Sequence, residues 1–180
     1  DLTDRIAEGL LIATRDAGRR AIADPRDYEA RATLMWAGSV SHNDYTGCGR
    51  KRLFPVHKLE HELSAFRDEI AHGAGLSVLF PAWAEHEMQY DYPRFAQFAN
   101  RVLGVEMDFE HPERTAREGI RTLRRFFEEI GMPTHLSQLS IKPENYEKLA
   151  ANTVRTVNGP VKSYSPLDEK AIIEIYRLAE

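Results

Sequence analysis

Three of the chain's seven histidines, His57, His61 and His72, fall within sixteen residues. Neutral imidazole is the commonest protein ligand for first-row transition metals, so this stretch is the first candidate for chemistry. His57 and His61 are four residues apart and share one face of a helix, where they rise by about 6 Å and can chelate one ion. His72 cannot join them on a continuous helix, because the residues between would separate it from His57 by about 22 Å. Two nitrogens on one ion lie only about 3 to 4 Å apart, given metal–nitrogen bonds near 2 Å. A metal site therefore requires a chain reversal, and the polar run Arg67-Asp68-Glu69 offers a place for one. Gly73 and Gly75, just beyond His72, allow a close approach to the backbone.

The same residues admit other chemistry. His57-x-x-Glu60-His61 matches the inverted zinc-protease pattern, in which two histidines bind zinc and the glutamate is the general base. That reading gives His72 no role and needs a carboxylate ligand from elsewhere. A non-catalytic reading makes the histidines satisfied polar residues of a helical interior. A third reading is a helical binding module: Arg114, Arg117, Arg121 and Arg124 line one side of a helix and could meet an acidic partner. Interleaved Glu113, Glu118 and Glu128 make a solvated face the simpler account.

The elements that must position these residues are helical. Leu2, Ile6, Leu10, Ala13 and Ala17 recur at helical spacing over residues 2–22. Asp24-Pro25 punctuates the chain, with Asp as a cap and Pro in a first turn. A second helix is expected over 26–43, with Tyr28, Ala32, Met35 and Trp36 as its apolar side. The histidine helix follows at 56–66. A helix from His72 carries Leu76 to Trp83, apolar nearly all round and so expected at the centre, with Pro81 as a kink point. Further helices are expected around Phe95 to Val102, over 113–130, 143–153 and 166–179. Strand-like alternation is scarce. The fold class is all-α, a bundle of seven or eight helices.

The 180 residues suffice for one domain with a substantial core. A net charge of −4 argues against a general nucleic-acid binder. A single cysteine, Cys48, gives no reason to expect an oxidising compartment, so a cytoplasmic setting is expected. No apolar run approaches the roughly 20 residues of a membrane span. Asp1 reads as the first turn of a helix already under way, which suggests a truncated chain.

Several separated motifs resemble one family. Trp36-Ala-Gly38, His42-Asn43, His57-x-x-Glu-His-Glu-Leu-Ser-Ala65, Ala71-His-Gly-Ala-Gly-Leu76 and Phe80-Pro-Ala-Trp83 follow one another in the order seen in iron-containing alcohol dehydrogenases, and most resemble the butanol dehydrogenase branch. Arg94-Phe-Ala-Gln-Phe-Ala99 and Phe126 to Leu136 extend the similarity over nearly the whole chain.

The resemblance implies an NAD(P)-dependent dehydrogenase interconverting small alcohols and aldehydes. Its fold would be dehydroquinate-synthase-like, with an N-terminal nucleotide-binding domain and a C-terminal helical metal domain. Residues 1–180 resemble that helical domain without its first helix or helices, so the nucleotide-binding domain becomes the expected partner. Such helical domains can also pair as homodimers. By position, His57 and His72 match family metal ligands for Fe2+ or Zn2+, and His61 matches a catalytic-pocket histidine. The family's other ligands, an Asp and a His four residues apart, are expected before residue 1. The segment before His72 carries one residue more than the family's usual spacing. The isolated chain is expected to be inactive.

Overall fold

The structure, a computed structural model, describes residues 1–180. Eight α-helices follow in order: α1 (Leu2–Ala23), α2 (Tyr28–His42), α3 (Pro55–Phe66), α4 (His72–Glu87), α5 (Tyr92–Leu103), α6 (Pro112–Glu129), α7 (Tyr146–Thr156) and α8 (Glu169–Leu178). There are no strands, only an isolated bridge between Val161 and Leu167. No helix is long and apolar enough to cross a membrane.

The helix ends follow from capping chemistry. Pro55 and Pro112 open α3 and α6, where a missing N–H costs nothing. Asp91 and Asp168 accept from the backbone N–H groups of Arg94 and Ala171 and so start α5 and α8. The punctuation after α1 works differently from expectation. Asp24 is the last residue of α1's exit and its carboxylate accepts from Arg26 N–H at 2.9 Å, while Asp27 caps α2 by accepting from Ala30 N–H at 3.0 Å. The expected helix at 143–153 opens with a 3-10 turn, and α7 proper begins at Tyr146.

α4 is the hub. It packs against α3, α6 and α8, and α7 closes the layer against α3 and α8. Leu59 and Leu63 of α3, Val78 and Leu79 of α4, Leu149 of α7, and Ile172, Ile175 and Tyr176 of α8 are fully buried or within 1% of it. That shared core fixes the angle at which α3 and α4 meet, and both carry histidines. The helix runs on through Pro81. A smaller core joins Ala84 and Met88 to Phe95, Ala96, Ala116 and Ile120. There α5 and α6 approach so closely that a Cβ on Gly119 would lie 2.2 Å from the Ala99 Cβ, which only glycine permits.

Two helix faces differ from the periodicity. Of α1's expected apolar side only Ala17 is buried, whereas Asp4 and Glu8 are buried instead. Asp4 pairs with Arg94 at 2.6 Å and Arg50 at 2.8 Å, and Glu8 accepts from Gln97 at 2.6 Å and Arg101 at 3.0 Å. Chiefly the Arg94 hydrogen bond holds the Asp4 carboxyl far below the usual carboxylate range. α1 is thus clamped to α5 by charge. On α2, Tyr28, Met35 and Trp36 are 77, 80 and 70% exposed, and only Ala30 and Ala37 are buried. Helical spacing identifies a shared face but not what covers it.

Candidate metal centre

α3 sets His57 and His61 one turn apart, as their spacing requires. The reversal falls at the expected polar run. Arg67 N–H donates to Leu63 carbonyl to end α3, Ile70 N–H donates to Arg67 carbonyl to turn the chain, and buried Ile70 pins the turn to the core. His72 then opens α4. His72 lies directly against α3.

The geometry is tight. His57 Nδ1 and His72 Nε2 are 3.0 Å apart. The ring centroid of His61 lies 6.4 Å from that of His57 and 5.5 Å from that of His72. One ring nitrogen from each of the three lies within 4.8 Å of the others. His57 is half-buried, with Phe54 edge-on to its ring, and His61 and His72 are exposed. Burial first, then the neighbouring imidazoles of His72 and His61, push the His57 pKa down. A neutral ring is the form that offers a lone pair to a metal. The structure therefore brings all three sequence candidates together, with the His57–His72 spacing that cis ligands of one ion need. A three-nitrogen donor set of this kind suits a divalent first-row ion.

Glu60 is the residue whose role the spacing concealed. It is fully buried between α3 and α4. One carboxylate oxygen accepts from His72 Nδ1 and the other from the Ser64 hydroxyl. A Cβ on Gly75 would lie 2.5 Å from Glu60 Cγ, so the carboxylate occupies the space that glycine leaves on the first turn of α4. The protease reading is not supported. Its general base would have to reach a substrate, but Glu60 is sealed from solvent and committed to His72 and Ser64. Ser64 one turn after Glu60, and Gly75 just past His72, were the sequence signals for this arrangement.

His42 ends α2, bonded through Nδ1 to Ser41 and the Gly38 carbonyl. Arg50 turns to Asp1 and Asp4, and Cys48 is exposed, its carbonyl accepting from Thr3. Three of the four α6 arginines have acidic partners, Arg114 with Asp108, Arg121 with Glu118, and Arg124 with Glu85, while Arg117 has none. The basic-module reading loses most of its free charge accordingly. An apolar cavity of about 750 Å³ runs away from the histidines, with Phe54, His57, Gly73, Leu76, Phe80 and Phe127 among its walls.

Comparison with known proteins adds to this geometry. The family model "Fe-containing alcohol dehydrogenase family, C-terminal" matches residues 1–179. NADH-dependent butanol dehydrogenase A of Clostridium acetobutylicum is 35% identical over 175 residues, which are 97% of this chain and 44% of that protein. NADPH-dependent aldehyde reductase YqhD of Escherichia coli is 31% identical over 140 residues, 78% of this chain and 35% of that protein. The crystal structure of NADH-dependent butanol dehydrogenase A from Thermotoga maritima superposes with a TM-score of 0.93 at 30% identity, covering 99% of this chain and 46% of that one. The chain thus spans less than half the length of these relatives.

Proposed function

This chain belongs to the Fe-containing alcohol dehydrogenase family, whose C-terminal domain it matches, and from that premise we propose that it supplies the metal-binding and substrate-facing wall of an NAD(P)-dependent alcohol and aldehyde oxidoreductase. The observation that carries the reading is the 3.0 Å approach of His57 and His72 across the α3–α4 turn. In this reading His57 and His72 are the metal ligands. Each offers one nitrogen, and burial beside two other imidazoles lowers the His57 pKa, which favours the neutral ring that a metal needs. The nitrogen donors suit Fe2+ and Zn2+ alike. Further ligands come from another part of the intact protein, because the only carboxylate beside the histidines, Glu60, is occupied by His72.

A divalent ion held by His57 and His72 would supply Lewis acidity toward the oxygen of an alcohol or aldehyde, the chemistry that nicotinamide-linked hydride transfer needs. His61 stands exposed on the open side of the pair, one turn along α3. There it orients a small alcohol or aldehyde and gives or takes the proton at its oxygen. The nucleotide-binding domain of the same protein brings NADH or NADPH to that face. The similarity to NADH-dependent butanol dehydrogenases and to an NADPH-dependent aldehyde reductase supports this substrate class and leaves both cofactors in play.

The test uses the intact protein with butanal, NADH or NADPH, and added Fe2+ or Zn2+. Turnover is expected with metal. His57→Ala and His72→Ala are expected to lose both metal and turnover, and His61→Ala to lower kcat by about 100-fold or more while retaining metal. Residues 1–180 alone, mixed with NADH, butanal and iron, should give none. Turnover by that fragment, or full activity in His57→Ala, would refute the reading.

A further inference from the structure

We infer that Glu60 is a positioning residue: it fixes the tautomer and the ring plane of His72 so that Nε2 faces His57 and the metal. The inference rests on the ligand assignment proposed for His57 and His72. Three observations carry it. Glu60 is a fully buried carboxylate, a costly group to place in a core without a purpose for its charge. It is bonded to His72 Nδ1. A carboxylate only accepts, so the proton of that bond sits on Nδ1, and the lone pair is left on Nε2. That nitrogen is the one 3.0 Å from His57.

The surroundings hold the carboxylate in place. Its second oxygen is bonded by Ser64, one turn along the same helix, which stops the group from rotating. Gly75 removes the side chain that would otherwise occupy the same volume, with Cβ distances of 2.5 Å to Glu60 Cγ and 2.6 Å to Oε1. The carboxylate also lies at the N-terminal turn of α4, which has no side-chain cap, where the helix dipole favours negative charge. Helix α3 therefore contributes twice, once with the ligand His57 and once by aiming the ligand of the next helix. Outer partners of metal-bound histidines typically set affinity by 10–100-fold.

The experiment measures metal affinity of the intact protein by chelator competition, with Co2+ as an optical probe of the ligand field. Glu60→Ala is expected to weaken binding by about 10–100-fold and to shift the Co2+ absorption bands. Glu60→Gln keeps an oxygen that accepts from Nδ1 and is expected to recover most of that loss. Gly75→Ala should act in the same direction as Glu60→Ala although alanine is the better helix former, which separates aim from stability. It also serves as the test should Glu60→Ala fail to fold. Wild-type affinity and spectra in Glu60→Ala and Gly75→Ala would overturn the inference, as would equal losses in the Ala and Gln variants. His72→Ala keeps the two readings apart. Wild-type metal binding in His72→Ala defeats the ligand assignment itself, whereas lost binding there with normal binding in Glu60→Ala defeats only the positioning role.

Discussion

Glu60 and Glu87 are both fully buried, and each bonds an imidazole through that ring's Nδ1. They sit at opposite ends of the α4 packing, and their surroundings differ in one respect that matters. The carboxylate of Glu87 is saturated. Ser163 donates at 2.6 Å, Ser165 donates from its N–H at 3.0 Å and from its hydroxyl at 2.7 Å, and His86 donates at 3.0 Å. The second nitrogen of His86 lies 3.6 Å from Glu174, beyond hydrogen-bond reach, and the side chain is only 12% exposed. Both oxygens of the Glu87 carboxylate are bonded within the protein, so the cluster ties the 163–165 loop to the end of α4. Glu60 holds His72 by one nitrogen only. The other faces His57 and an opening, with the His72 side chain 46% exposed. A buried carboxylate–histidine pair thus closes a structure when the ring it holds is itself enclosed. It prepares a site when the ring's second nitrogen stands at an opening beside another imidazole.

Removing Glu87 should break the comparison most forcefully. Glu87→Ala strips the acceptor from two serine hydroxyls, one backbone N–H and one imidazole, and is expected to cost about 3 kcal/mol or more of stability. Denaturant titration of the metal-free protein checks this, and the metal affinity of the folded fraction should stay unchanged. A loss of affinity larger than the loss of stability would show that the two clusters are coupled through α4. Next in size is Ser163→Ala. The Ser163 hydroxyl both donates to Glu87 and accepts from Trp83 Nε1 at 2.9 Å. Its removal leaves the indole N–H unpaired, for an expected cost of about 1–2 kcal/mol by the same titration.

These clusters were unequally legible in the sequence. The histidine spacing and the polar break were enough to require a reversal between His57 and His72, because the geometry of one ion leaves no other way to join them. The hub role of α4 was legible as well, since a segment apolar on all sides has to be interior. Glu87 gave no such sign. Its partners at 163 and 165 lie in a loop more than seventy residues away, and no local period connects them. The same limit explains α1. Leu2, Ile6 and Leu10 share a face by spacing, yet Asp4 and Glu8 take the buried positions because Arg50, Arg94 and Arg101 arrive from elsewhere in the fold. Charge pairing at long range can override a hydrophobic stripe of modest amplitude. Glu60 fell between these cases. Its position beside two histidines was visible, but the pattern suggested a solvent-facing base. Only the packing of Gly75 shows that the carboxylate lies between two helices.

The smallest expected effect gives the sharpest contrast. His86 and His72 are both bonded to a buried glutamate, so a purely structural account would assign their loss similar consequences. His86→Ala leaves Glu87 three donors from Ser163 and Ser165. The cost should therefore be about 1 kcal/mol or less, with wild-type metal content and turnover. His72→Ala leaves Glu60 with Ser64 alone and removes a proposed ligand, so its main consequence should be lost metal. Measuring metal content and unfolding midpoint on the same two preparations decides the matter. If His86→Ala lost metal as His72→Ala does, the exposure of the second ring nitrogen would not be what separates a site from a staple. If His86→Ala lost only a little stability, the exposed Nε2 of His72 would remain the feature that distinguishes the two pairs.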